Sequence, residues 1–314
     1  MKKVAVSIGD LNGIGIEIAL RAHNKIKKVV EPIYVISNEM LRQASDKLGI
    51  DIPNDFKIVE PNAKDFKIKP GEVSKRSGFY SFRSFIEAIN LAATKKVDAI
   101  LTLPINKEAW SKAGIKYKGH TDALRDIFKQ DAIMMLGCPK MFVALYTEHI
   151  PLKDVAGKVN TKEFEKFLLD FNANIKELKQ VAVLGLNPHA GDNGVLGDEE
   201  KHITKAIKKA NKKIGFEQFI GPIVPDIAFT PNFRESFKYF IAIYHDQGLA
   251  PLKALYFDES INVSLNLPIL RVSVDHGTAF DIAYKNKKLN LKSYINSVKY
   301  ILKSYKRDHN LLKL

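Results

Sequence analysis

The run Phe142-Val-Ala-Leu-Tyr-Thr-Glu-His149 is short, apolar and ends on a histidine, and two later runs share this pattern, Val181-Ala-Val-Leu-Gly-Leu-Asn-Pro-His189 and Phe240-Ile-Ala-Ile-Tyr-His245. Runs this short and this apolar are typical of buried parallel strands with helices between them. Open α/β sheets gather their ligands just past the carboxyl ends of such strands. The sequence therefore predicts an α/β fold in which three imidazoles meet at one edge of a sheet and bind a divalent metal.

Each of the three histidines has a polar neighbour, and these neighbours are Glu148, Asn187 and Asp246. Such groups orient metal-bound imidazole rings or act as bases. Neutral imidazole is a good ligand for zinc, cobalt or iron, and three protein ligands with one open position are typical of catalytic sites. The alternative that the residues leave open is that each histidine is an ordinary polar residue of a loop.

The rest of the chain alternates strand and helix patterns, which favours a mainly parallel sheet. The closely spaced runs Ile133–Leu136 and Phe142–Tyr146 predict a tight turn between two antiparallel strands. Asn160 is expected to cap a helix that runs to about Leu178, because Glu163 follows three residues later. The other predicted strands are Val4–Ile8, Ile33–Ile36 and Ala99–Leu103, and the other predicted helices are Gly13–Ala22, Glu39–Leu48, Tyr80–Thr94, Glu199–Lys213 and Ser293–Lys306.

Composition excludes several classes of protein. The 314 residues are 46% hydrophobic, which is ordinary for a globular protein and argues against disorder. No apolar run approaches ~20 residues, so we expect no membrane span. The N-terminal apolar run is too short for a signal peptide and leads into a glycine turn, so it is interpreted as the first strand. Cys138 is the only cysteine, which suits a reducing cytoplasm.

The formal charge of +14 raises the question of nucleic-acid binding. The lysines are spread along the whole chain, however, and the densest group falls mostly on one face of a predicted helix, as on a solvated surface. Aromatic residues are not interleaved with them as in single-strand binders. We therefore expect no nucleic-acid partner. The positive charge would attract a phosphorylated, anionic small molecule. The lysines of the dense group are Lys205, Lys208, Lys209, Lys212 and Lys213.

Several polar residues are candidate anion donors. Gly119-His120-Thr121-Asp122 would either cap a helix through Thr121 or present two donors to a substrate oxyanion. Lys253, Asn262 and Arg271 follow His245 at regular intervals, and Arg271 lies inside the apolar run Leu267–Val274. Arginine grips a phosphate or carboxylate with two parallel bonds. Taken singly, each of these residues would be a surface residue in most proteins.

Two glycine-containing loops complete the candidates. The loop from Asn187 to Glu200 precedes a helix, so it is either an anion site at a helix N-terminus or a flexible connector. The turn from Ser7 to Glu17 joins a predicted strand to a predicted helix but does not match the dinucleotide-binding glycine fingerprint.

Four motifs in order along the chain resemble the 4-hydroxythreonine-4-phosphate dehydrogenase family, and family-like segments run from Ser7 to about Ala283. The turn Gly9-Asp10 with Gly13-Ile-Gly-Ile-Glu17, and the loop His276-Gly277-Thr278-Ala279, are also similar to isocitrate and isopropylmalate dehydrogenases. The four motifs are Gly119-His-Thr-Asp, Asn187-Pro-His-Ala-Gly-Asp, Tyr244-His-Asp-Gln-Gly-Leu-Ala-Pro-Leu-Lys253 and Ser273-Val-Asp-His-Gly-Thr-Ala279.

The resemblance implies a two-lobed, three-layer α/β/α subunit with mainly parallel sheets. Residues 1–120 and 258–314 would form a discontinuous lobe that carries the NAD loop, and residues 121–257 a central lobe with the metal ligands and the dimer contacts. It also implies a homodimer whose active sites lie at the subunit interface. The three histidines would then not all come from one chain.

The resemblance assigns roles to particular residues. It places the metal ligands for Zn, Mg or Co on His149, His189 and His245, and an NAD or NADP loop on His276, Gly277, Thr278 and Ala279. The general base stays open, with Asp246 the first candidate and a metal-bound hydroxide the alternative. Lys253 is a second catalytic candidate. The implied substrate contacts are His120, Thr121, Lys253, Asn262 and Arg271.

The implied reaction oxidises the C3 hydroxyl of 4-phosphohydroxy-L-threonine with NAD or NADP. The resulting β-keto acid loses carbon dioxide to give 3-amino-2-oxopropyl phosphate, a precursor of pyridoxal phosphate in vitamin B6 synthesis. One alternative is a paralogue that acts on threonate or erythronate phosphate. More distant alternatives are a phosphate-binding acyltransferase on a related fold and a basic nucleic-acid-binding module.

The first turn departs from the family pattern. Leu11 and Ile16 stand where the family usually has two prolines. A proline in the first helical turn pre-sets φ, so we expect a looser turn here.

Overall fold

The computed structural model describes residues 1–175 and 180–306, and the chain folds into two compact units. The first unit comprises Met1–Gln130, Ile261–Val263 and the chain from Leu267 onward. The second comprises Asp131–Ser260 and Ser264–Asn266. Among the described residues, no helix is both long and apolar enough to cross a membrane.

Strands and helices alternate along most of the described chain. The strands are β1 (Lys2–Ser7), β2 (Val30–Val35), β3 (Lys57–Val59), β4 (Ala99–Thr102), β5 (Ile133–Cys138), β6 (Met141–Leu145), β7 (Val181–Leu184), β8 (Phe219–Ile223), β9 (Tyr239–Ala242), β10 (Ile261–Leu265) and β11 (Leu270–Val274). The helices are α1 (Gly15–Ile26), α2 (Asn38–Leu48), α3 (Lys75–Ala93), α4 (Lys107–Lys112), α5 (His120–Phe128), α6 (Thr161–Asn174), α7 (Glu200–Ile214), α8 (Pro231–Ser236), α9 (His245–Tyr256) and α10 (Lys292–Lys306).

The sheet of the first unit has the order β3-β2-β1-β4-β11, and all four of these pairings are parallel. Its middle strands are apolar on both faces, because helices cover both faces of a parallel sheet. Part of the core lies between the sheet and α3, α4 and α5, where Phe85, Trp110 and Leu124 are fully buried. The carboxyl ends of β1, β4 and β11 therefore share one edge, where open α/β sheets bind ligands.

The sheet of the second unit has the order β5-β6-β9-β7-β8. β5 and β6 form an antiparallel pair, as the sequence predicts, and the pairings β6–β9, β9–β7 and β7–β8 are parallel. Val143, Ala182 and Phe240 from the three central strands lie in one buried cluster with Leu252 of α9. The α/β class with mainly parallel strands is confirmed.

The start of α6 is as predicted, but its end is not. The side chain of Asn160 accepts a hydrogen bond from the backbone N–H of Glu163 at 2.9 Å, which confirms the cap. The helix ends at Asn174, since Ile175 is already extended, with φ −104° and ψ 107°. Leu178, to which the sequence extended this helix, lies outside the described residues.

Candidate active site

The three histidine-bearing runs form neighbouring parallel strands, as predicted. β6, β9 and β7 are adjacent, and every residue of the three strands is buried. His149, His245 and His189 each follow the carboxyl end of one of these strands within a few residues. The prediction that the strands deliver histidines to one edge of the sheet is confirmed.

His149 and His245 lie beside each other at that edge. Their ring centroids are 5.7 Å apart and the rings are tilted by 41°. Two imidazoles on one zinc ion, with zinc–nitrogen distances of about 2.1 Å, have centroids roughly 5 to 6 Å apart. Asp246 lies 2.7 Å from Nδ1 of His245 through its Oδ1. This contact fixes the tautomer and leaves Nε2 of His245 as the nitrogen available to a metal.

His189 lies in a loop with unusual backbone geometry. Residues 189–193 all have positive φ, between 42° and 78°, and only Gly191 among them is a glycine. Left-handed backbone costs other residues about 1–2 kcal/mol each, so the surroundings must hold the loop in place. The carboxylate of Glu200 does so at the loop's start, where it accepts from the N–H groups of Leu186 at 2.9 Å and Asn187 at 2.7 Å.

The structure brings together two of the three predicted ligands. Across residues 1–175 and 180–306, no group of three histidine, cysteine, aspartate or glutamate side chains is arranged to hold a metal. His189 is exposed on its loop. The donor chemistry and the spacing of His149 and His245 fit a divalent metal, but His189 does not form a group of three with them among the described residues.

The first unit contains a buried cationic group. Arg271 lies on β11 and is only 2% exposed. It donates from Nε and Nη2 to Oγ1 of Thr102 at 3.2 and 2.8 Å, and its Nη1 lies 3.5 Å from Oδ1 of Asn262. Burial lowers the pKa of Arg271 to about 9, so the guanidinium keeps its charge at neutral pH. Two of the predicted substrate contacts, Arg271 and Asn262, are thus brought together.

His120 is held close to this arginine at the start of α5. Its ring meets Phe85 and Trp110 edge-on, at centroid distances of 4.6 and 5.5 Å. Burial, and then the charges of Arg271 and Lys107, keep the pKa of His120 well below its usual range. Its Nε2 is buried without a hydrogen-bond partner among the described residues. A neutral ring with one free buried nitrogen is suited to a ligand that brings its own hydrogen-bonding group.

The structure also shows the positions of Thr121 and Lys253, the other two predicted substrate contacts. Thr121 is buried in the first turn of α5, but Gly119 is the capping residue and no side chain caps this helix, so the capping role for Thr121 is wrong. Lys253 lies on α9 in the second unit, with Nζ 5.4 Å from the ring centroid of Phe257.

The loop His276–Ala279 follows β11 and contacts the first turn of the chain. The backbone N–H of Ile14 donates to the carbonyl of Thr278 at 3.0 Å. A Cβ on Gly13 would lie 2.7 Å from that carbonyl oxygen, so only glycine allows this approach. The hydroxyl of Tyr284 donates to the carbonyl of Leu11 at 2.7 Å. The loop and the turn are thus one hydrogen-bonded unit at the carboxyl ends of β1 and β11.

The first turn makes tertiary contacts although it lacks the two prolines. Leu11 and Ile16 are fully buried, so they contribute apolar contact where proline would contribute stiffness. The side chain of Asn12 accepts from the N–H of Lys69 at 2.9 Å and donates to the carbonyl of Glu72 at 2.7 Å. These bonds fasten the turn to the segment before α3. These tertiary contacts oppose the looseness expected from the missing prolines, and that looseness stays a prediction.

Sequence reasoning gave no role to several residues that organise these loops. Thr102 accepts two hydrogen bonds from Arg271, and Glu200 holds the start of the His189 loop. Gln247 lies inside a quoted motif, yet one of its partners, Gly185, is 62 residues away in sequence. For Gln247, the motif was the only signal in the sequence. The contacts of these residues leave no periodic pattern by which they could be predicted.

Known proteins are similar to this chain over most of its length. A family model described as pyridoxal phosphate biosynthetic protein PdxA matches residues 28–301. A protein of Sulfurimonas denitrificans, named 4-hydroxythreonine-4-phosphate dehydrogenase, is 66% identical over 95% of this chain and 96% of its own length. A Campylobacter fetus protein of the same name is 55% identical over 96% of this chain and 98% of its own.

A solved structure extends the similarity to the fold. The crystal structure of 4-hydroxythreonine-4-phosphate dehydrogenase from Klebsiella pneumoniae superposes with a TM-score of 0.82 at 31% sequence identity. The match covers 96% of this chain and 98% of that one.

Proposed function

This chain belongs to the PdxA family of pyridoxal phosphate biosynthetic proteins, and we propose that it oxidises 4-phosphohydroxy-L-threonine at C3 with NAD or NADP and releases carbon dioxide. The hydride of C3 passes to the nicotinamide and the C3 hydroxyl loses its proton, which gives a β-keto acid. The carboxylate then leaves as carbon dioxide, and C2 takes up a proton in its place. The organic product is 3-amino-2-oxopropyl phosphate, a precursor in vitamin B6 synthesis.

The observation that carries the proposal is the pairing of His149 with His245 at 5.7 Å, with Asp246 holding Nδ1 of His245. A divalent metal supplies Lewis-acid chemistry that makes a chelated hydroxyl more acidic and stabilises negative charge during decarboxylation. We propose that His149, His245 and His189 hold it, and that the metal is Zn, Mg or Co. The spacing of the first two rings supports this donor set.

Asp246 is proposed to orient His245 in addition to its candidacy as the general base. Its carboxylate already engages the ring, so it fixes which imidazole nitrogen faces the metal. Proton removal from the substrate hydroxyl would need the carboxylate to release that contact or to use its second oxygen.

Arg271 and His120 are proposed to bind the phosphate or the carboxylate of the substrate. Thr102 fixes the guanidinium, which supplies charge, and His120 offers a neutral ring nitrogen. Because both groups are held by buried neighbours, little side-chain freedom is lost when the anion binds. Thr121, Asn262 and Lys253 are proposed as further contacts.

The loop His276–Ala279 is proposed to hold the nicotinamide cofactor. Support comes from its place after β11 and from its bonds to the turn after β1, since parallel sheets bind dinucleotides at this edge. Positioning the nicotinamide against C3 is the main task of the protein in such a reaction.

We further propose a cytoplasmic homodimer in which a second copy completes each active site, as the family resemblance implies. The buried, unpaired Cys138 agrees with a reducing compartment.

The test of the substrate is a direct comparison. Purified protein is assayed for NAD(P)H formation with 4-phosphohydroxy-L-threonine and with threonate 4-phosphate at equal concentrations. We expect the amino-acid phosphate to have the higher kcat/KM. Preference for the threonate would assign the chain to a different substrate, and product formation without a nicotinamide would favour acyl transfer.

A further inference from the structure

Ile243, the residue after β9, is linked by hydrogen bonds to the end of β6. The N–H of Thr147 donates to the carbonyl of Ile243 at 3.1 Å, and the Thr147 hydroxyl donates to the same oxygen at 2.7 Å. Thr147 precedes His149 by two residues, and Ile243 precedes His245 by two. This contact therefore links two of the histidine-bearing strand ends.

Gln247 extends the link to the third strand end. Its Oε1 accepts from the N–H of Ile243 at 2.7 Å, and its Nε2 donates to the carbonyl of Gly185 at 2.7 Å. Gly185 directly follows β7 and precedes the His189 loop. One side-chain amide thus bridges two strand ends that each lead to a histidine.

Gly185 also touches the His189 loop itself. A Cβ at this position would lie 2.9 Å from Cβ of Ala190, so only glycine lets the loop fold back here. We call Thr147, Ile243, Gln247 and Gly185 the strand-end brace. Its bonds lie where the strands have ended, so side chains add to the backbone pairing that continues there and link the starts of the loops beyond.

We propose that Gln247 is a positioning residue for the metal ligands, and that through the strand-end brace it fixes the start of the His189 loop against the strand end that leads to His245. The proposal rests on the proposed function, because it assumes that these histidines bind a metal. Outer-shell partners that orient ligands commonly change metal affinity by about 10- to 100-fold. A bridging amide two residues after a ligand is well placed for such an effect.

The test measures Co²⁺ binding to chelator-stripped full-length protein by calorimetry, with no substrate present. Asn211→Ala is the matched control, because Asn211 also bridges backbone groups with two bonds, to the N–H and the carbonyl of Phe219, both at 2.9 Å. We expect Gln247→Ala to raise the Kd for Co²⁺ at least tenfold, and Asn211→Ala to leave it within twofold of wild type. At saturating Co²⁺ the kcat of Gln247→Ala should recover.

The outcomes separate the two proposals. Wild-type affinity in Gln247→Ala, or an equal loss in Asn211→Ala, would overturn the positioning role alone. A wild-type protein that binds no Co²⁺ and turns over without metal would overturn the proposed metal site and the brace's role together. If Gln247→Ala does not fold, Gln247→Met preserves side-chain volume while removing both bonds, and the same criteria apply to it.

Discussion

The imidazole rings of His149 and His245 lie 5.7 Å apart at the carboxyl ends of the neighbouring parallel strands β6 and β9. The two residues come from separate parts of the chain, and the pairing of β6 with β9 brings the strand ends before them together. This spacing suits two ligands of one metal ion. His189, the third candidate, lies on a loop held by Glu200 at the next strand along.

Replacing the loop histidine tests whether it is a ligand. His189→Ala should abolish metal retention and turnover and leave the fold intact, because His189 is exposed and contributes no core packing. Elemental analysis, kinetics and size-exclusion chromatography measure the three properties. A variant with the metal content and kcat of the parent would contradict the ligand role.

The kcat/KM of the protein should fall even when Arg271 is replaced by another cationic residue. Lysine cannot reproduce the paired bonds of the guanidinium, and a lost bond to a charged group costs about 1.5–3 kcal/mol. Arg271→Lys should therefore lower kcat/KM for the phosphorylated substrate roughly 10- to 100-fold. Arg234→Lys is the control. Like Arg271, Arg234 donates to a hydroxyl, that of Tyr256, and it also donates to the backbone carbonyl of Phe229 in the second unit. An equal loss in both variants would argue against a substrate contact for Arg271.

The hydroxyl of Tyr284 should affect the KM for the nicotinamide cofactor more than the KM for the substrate. Its hydroxyl ties the segment after the proposed cofactor loop to Leu11, and losing one such bond costs about 1 kcal/mol. Tyr284→Phe should raise the KM for NAD(P) about fivefold and leave the KM for the substrate unchanged. Tyr305→Phe also loses a hydroxyl bond to a backbone carbonyl, that of Asp98, and should change neither constant. Equal values of both constants in wild type and Tyr284→Phe would contradict the coupling.

Asp10 should give the protein a distinctive pH dependence of stability. Burial raises the pKa of Asp10 to about 6, although the Asn12 N–H and the Ser77 hydroxyl partly oppose this. A carboxyl whose pKa is higher in the folded state stabilises the fold below about pH 4, and this contribution is lost as the pH rises through about 6. A shift of about two units corresponds to about 3 kcal/mol.

Asp10→Asn removes this titration. Relative to wild type, the free energy of unfolding of the variant should increase by up to about 3 kcal/mol between pH 4 and pH 7, as measured by denaturant unfolding. A difference that stays constant over this range would show that Asp10 does not titrate as proposed.

The strand ends and several local signals were predictable from sequence, because they depend on short-range patterns. The apolar runs before His149, His189 and His245 gave the strands, and Asn160 with Glu163 gave a helix start. The antiparallel turn after β5 was equally local.

The contacts that organise the site could not be predicted in this way. Thr102 and Arg271 meet across adjacent strands that are far apart in sequence, and Gln247 reaches Gly185 across two strand ends. The left-handed backbone at residues 189–193 does not follow from the local residue types, which include only one glycine, and the start of this loop is held by the distant Glu200. Such contacts leave no periodic pattern, so the motifs indicated the loops but not what holds them.

The central claim is that this chain is a metal-dependent dehydrogenase, and one measurement tests it most directly. Chelator-treated, dialysed protein is mixed with 4-phosphohydroxy-L-threonine and NAD or NADP, and NAD(P)H formation is followed at 340 nm before and after Zn²⁺, Mg²⁺ or Co²⁺ is added. We predict no NAD(P)H formation before addition and turnover after it. The same rate with and without metal, or no turnover with any of the three ions, would contradict the account.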